Sequence, residues 1–134
     1  MKVRLLVLIG LTACVSTNAA VLNSAQTLPA ICPDGVLIFT DSSKVAKPYQ
    51  EVAVLNSKGS YEYTNESKMI ESQRKAAAKL GANGVILGAM QEPGTGAKVW
   101  NALLGTPANR QGKAIAILIP GDSARVASAC KYQH

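Results

Sequence analysis

A chain of 134 residues suits one domain, and no composition shift divides it into two. Its net charge is +6, but the bases are scattered between acids and the chain carries one tryptophan and one phenylalanine. That pattern excludes a basic groove with stacking aromatics, so no nucleic-acid partner is expected.

The first fourteen residues, MKVRLLVLIGLTAC, read as an export signal. Lys2 and Arg4 make a positive start, residues 5–11 a short apolar core, and Leu11-Thr12-Ala13-Cys14 the layout of a bacterial lipobox. The core is too short to span hydrocarbon, which takes about 20 apolar residues. The expected outcome is cleavage after residue 13, lipidation of Cys14, and anchoring to a membrane through that lipid. The alternative is an ordinary secretory signal cut later, among the small residues Thr17 to Ala20. Val15 follows the cysteine in place of the aspartate that marks inner-membrane retention, which points to the outer membrane, facing the periplasm. Loss of Lys2 and Arg4 takes the side-chain charge from +6 to +4, a modest excess that favours anionic surfaces. Residues 15–30 are small and polar with no period, and read as a tether; 31–134 form the domain.

Cys32 and Cys130 stand near the two ends of that domain. Export permits disulfides and chain termini often lie close, so a Cys32–Cys130 bridge and two free or separately buried thiols stand as equal alternatives. With no CxxC and a single histidine, His134, at the C-terminus, no metal or other cofactor is expected.

Residues 36–40, VLIFT, follow the turn formers Pro33-Asp34-Gly35 and predict a first strand. Residues 49–56 predict a second, with Val52 and Val54 on one face and Ala53 and Leu55 on the other; Asn56-Ser57-Lys58-Gly59 reads as the turn that ends it. Tyr61 and Tyr63 extend the sheet or pack over its edge. Thr64 or Asn65 caps a helix running to Leu80, whose inner stripe is Met69, Ile70, Gln73, Ala76, Ala77 and Leu80; Gly81 stops it. Residues 85–89 and 114–119 are apolar on both faces and predict central strands. A short helix near residues 124–129 closes the chain. The order predicts an α+β domain, a four-stranded and mostly antiparallel sheet with one main packed helix, β-β-α-β-β.

The segment ESQRKAAAKLGANGVILGAM carries a resemblance. Its residues 76–80, the turn Gly81-Ala82-Asn83 and the strand residues 85–87 resemble the helix-to-strand core of small uncharacterised bacterial lipoproteins. More distantly they are similar to the Rcs stress-sensing lipoprotein and to YbjQ-like domains. About a third of the chain is covered. The resemblance implies an envelope protein with an α+β domain; no partner or site residue is carried over, since the matching positions are those of packing and helix termination.

Catalytic patterns fail on spacing. Gly94-Thr95-Gly96-Ala97-Lys98 lacks the GxxxxGK[ST] order, as does the run from Gly105 to Lys113, and no serine sits in GxSxG. The chain is therefore read as a non-enzyme, with no catalytic residues. The one segment inviting a functional reading is the long connection 91–112. Within it Val99, Trp100, Leu103 and Leu104 share one side of a short helix. Trp100, Leu103 and Leu104 are the candidate interface to an envelope protein or to the bilayer boundary; the competing reading, favoured by the scarcity of aromatics, folds Trp100 back over the sheet core. The functional expectation is a membrane-anchored envelope lipoprotein with a binding, sensing or accessory domain, the alternatives being an exported small-molecule-binding module with its cleft beneath the long connection, or a hydrolase.

Overall fold

The computed structural model describes residues 15–22, 27–61, 64–104 and 108–131. The signal segment 1–13, Cys14, Tyr63, Gly105 and His134 lie outside the described residues. Five strands, β1 (Ser16–Val21), β2 (Leu37–Phe39), β3 (Gln50–Ser60), β4 (Gly84–Gln91) and β5 (Asn109–Leu118), form one sheet in the order β1-β3-β5-β4-β2. Among the described residues three α-helices accompany it: α1 (Glu66–Lys79), α2 (Thr95–Leu104) and α3 (Ser123–Cys130).

The expected α+β class holds, and three of the four strand pairings are antiparallel. The strand count does not. Ser16–Val21, inside the predicted tether, forms an edge strand antiparallel to β3. Its sequence, STNAAV, has no alternation because both of its faces are largely exposed; the ladder to β3 holds it, not burial. The predicted turn at Asn56-Ser57-Lys58-Gly59 is also absent, because those residues pair with β5 through Gly59, and Asn56, Ser57 and Lys58 pair with β1 as well. Ladder bonds on both sides override turn chemistry. β2 runs parallel to β4, a non-local pairing that no local pattern announces.

The principal core lies between α1 and one face of the sheet. Asn65 accepts a bond from the Lys68 amide at 2.9 Å and caps α1. Ala77 is fully buried against Ala53, Leu55, Ala114 and Ala116, and Met69 and Gln73 are fully buried with their side-chain ends beside Gly112. Small residues on both surfaces let helix and sheet approach closely. At Gly112 a Cβ would stand 3.3 Å from Gln73 Nε2 and from Met69 Cε, so those side-chain ends would have to give by a few tenths of an ångström to admit one. Gln73 donates to Ser57 Oγ at 2.6 Å, and Ser57 donates to the Gly112 carbonyl at 3.2 Å. A smaller cluster of Ile86, Ile117 and Ile119 fills the opposite face beneath Phe39, Val45 and Tyr49.

The Gly81-Ala82-Asn83 turn is explained by packing. Gly81 has φ +77°, and a Cβ on it would meet Leu28 at 2.5 Å and the Pro29 carbonyl at 2.6 Å. Buried Asn83 donates to the Ile119 carbonyl at 2.8 Å and accepts from the Ile119 amide at 2.7 Å, extending the ladder beyond β5. At this end of the sheet Cys32 and Cys130 are disulfide-bonded across a separation of 98 residues. Closing so long a loop is worth about 4 to 5 kcal/mol in chain entropy.

Candidate functional site

The other end of the sheet carries the N-terminal approach and α2. Ser16 pairs with Lys58, Lys58 with Gln111, and Gln111 with Gln91, so one row of residues runs from β1 across β3 and β5 to β4. Four residues beyond Gln91, α2 begins. Val15 therefore lies, and α2 begins, at the same end of the domain.

Polar groups hold α2 there. Lys98 donates to Glu92 Oε2 at 3.1 Å, and Arg110 lies 3.2 Å from the other carboxylate oxygen. Both cations stand over the Tyr61 ring, at 4.6 and 5.2 Å from its centroid. Tyr61 is itself fixed by its amide, which donates to the Ala108 carbonyl at 2.9 Å. The Lys98 hydrogen bond and charge, with the charge of Arg110, hold the Glu92 carboxyl below its ordinary value; the bond to Glu92 raises Lys98.

This clamp dictates which way the helix faces. With 3.6 residues per turn, Leu103, Trp100 and Leu104 project about 140°, 200° and 240° around the axis from Lys98, on the opposite side. Docking through Lys98 turns them outward. Trp100 is 57% exposed, Leu103 71% and Leu104 65%, with Val99 at 48%. The expectation that Trp100 folds back over the sheet core is thus overturned. Among the described residues no strand or helix packs substantially against α2. The three candidate interface residues form one uncovered apolar stripe.

The long connection 91–112 is shorter in space than in sequence, because β4 runs on to Gln91 and β5 starts at Asn109. The larger groove lies elsewhere. It measures about 640 Å³ between β1 and α1, lined by Val15, Thr17, Ala19, Ala76 and Leu80 with Lys75 at its rim. Thr17 and Ser72 hydroxyls meet across it at 2.6 Å.

Buried charge gathers at the disulfide end. Asp122 accepts from Lys47 Nζ and from Arg125 Nε, both at 2.7 Å, and these bonds lower its pKa. Arg125 also donates to the Gly35 carbonyl at 3.0 Å. The carboxylate is consumed in tying α3 to the domain. Among the described residues no three His, Cys, Asp or Glu side chains gather in a metal-binding group, and no helix is long and apolar enough to cross a membrane. The residues that sequence reading missed are Tyr61, Glu92 and Arg110. Each is an ordinary surface residue in sequence, brought to Lys98 only by the pairing of β3, β4 and β5.

No family model matches the chain, and no curated protein does. Among solved structures it is similar to FvfA, a Francisella virulence factor crystallised in an orthorhombic form. The TM-score is 0.53 at 16% identity, over 76% of this chain and 96% of that one. At such identity the likeness is one of fold.

Proposed function

We propose that this chain is a bacterial envelope lipoprotein, held to the outer membrane through Cys14 with its domain on the periplasmic side, and that it binds or monitors an envelope component without catalysing a reaction. The observation that carries the anchor is strand β1. Cleavage before Cys14 leaves Ser16–Val21 whole and paired with β3, whereas the later cut of an ordinary signal, among Thr17 to Ala20, would break the strand. An oxidising compartment agrees with the Cys32–Cys130 bond. The resemblance of residues 76–87 to small envelope lipoproteins points the same way. The binding surface in this reading is the stripe of Trp100, Leu103 and Leu104.

Replacement of Cys14 with serine tests the anchor. Metabolic labelling with a fatty acid should be lost and the precursor should accumulate at its uncleaved mass; a mature protein of unchanged size and solubility would refute the lipobox. The groove between β1 and α1 supports a second reading, an exported module for a small amphiphile. Native mass spectrometry that finds a copurified ligand, lost when Ala76 is replaced by a bulkier residue, would favour it.

A further inference from the structure

We propose that α2 is a second membrane contact, with Trp100, Leu103 and Leu104 seated in the interfacial region of the same leaflet that holds the lipid on Cys14. The inference rests on the anchor reading for its distance argument. Only Val15 separates Cys14 from the first residue of β1, so the leash is two steps of chain, about 7 Å when extended. A domain on so short a leash cannot turn its anchored end away from the bilayer. That end carries α2: β1 and β4 are three strand spacings apart along the row Ser16, Lys58, Gln111 and Gln91, or about 15 Å.

The orientation and chemistry of the helix fit the same surface. The clamp of Glu92 and Arg110 on Lys98 and Tyr61 directs the indole and both leucines away from the protein. An indole beside leucines is the composition that settles at the boundary of headgroups and acyl chains. Glu92 lies between two cations and does not confront the bilayer as an isolated negative charge. On β3 and β5 at this end, Lys58 and Lys113 are exposed, and the +4 balance left after signal removal favours an anionic surface. A protein partner would have to reach the stripe from the side on which the leash holds the membrane.

Trp100 is the only tryptophan of the chain, so its fluorescence reports α2 alone. The full lipidated protein is purified from membranes and reconstituted in phosphatidylethanolamine–phosphatidylglycerol vesicles, with and without lipids brominated near the headgroup. Seating in the interface gives blue-shifted emission, at least halved by the brominated lipids. Replacing Leu103 and Leu104 with serine should abolish most of that quenching without altering the unfolding midpoint, because neither side chain packs in the core. The mass of the N-terminal peptide reads acylation separately. Acylated Cys14 with unquenched Trp100 overturns the helix contact and retains the anchor; quenched Trp100 with unmodified Cys14 does the reverse. A photo-crosslinker in place of Leu104 that captures only protein in intact cells, with no lipid adduct, also overturns the contact.

Discussion

Helices α1 and α2 are both amphipathic, yet the more polar of the two is the one in the core. α1 reads ESKMIESQRKAAAK and buries Met69, Gln73 and Ala77 completely, while α2 reads TGAKVWNALL and exposes every large apolar side chain it has among the described residues. Total apolarity does not decide which helix packs. α1 docks because its inner stripe is narrow and small enough to lie on the alanines and Gly112 of β3 and β5. α2 is clamped through Lys98, and helical geometry then turns its apolar side outward. An amphipathic helix covered by its own domain contributes to stability; one facing away is a surface for something else.

Truncation of each stripe should separate those roles. Met69→Ala removes a fully buried side chain beneath α1 and should cost about 2 to 5 kcal/mol in urea unfolding. The double change Leu103→Ala and Leu104→Ala should stay within about 0.5 kcal/mol, as expected of surface positions. Equal losses in the two helices would erase the distinction.

A smaller effect comes from pH. Glu92 has its carboxyl pKa lowered below 4.5, first by the hydrogen bond from Lys98, then by the charges of Lys98 and Arg110. A depressed folded pKa means that the clamp contributes fully above 4.5 and is lost as pH falls through the lower folded value. In the detergent-free Leu103→Ser, Leu104→Ser protein, Trp100 anisotropy should fall over that window while the α1 signal in circular dichroism holds. Loss of both signals together would show that α2 is tied to the core.

The parts of the fold that were legible in sequence are those written locally. α1 announces itself through Asn65 and the spacing of Met69, Gln73, Ala77 and Leu80; β4 and β5 through apolar runs; the bridge through the positions of Cys32 and Cys130. β1 was illegible because an edge strand exposed on both faces needs no alternation, and the continuation of β3 through Asn56 to Gly59 because its ladder partners are about 40 and 55 residues away. The candidate stripe of Trp100, Leu103 and Leu104 could be read as a set. Its direction could not, since that depends on Glu92, Tyr61 and Arg110 converging on Lys98.

Amide hydrogen exchange on the vesicle-bound, lipidated protein addresses the contrast between the helices most directly. A ten-residue helix without packing is marginal in water, so α2 should be protected only by the bilayer. Membrane seating predicts slow exchange at residues 99–104 in the wild type, fast exchange there in the Leu103→Ser, Leu104→Ser variant, and identical slow exchange throughout α1 in both. Equally fast exchange of α2 in the two vesicle-bound proteins would contradict it.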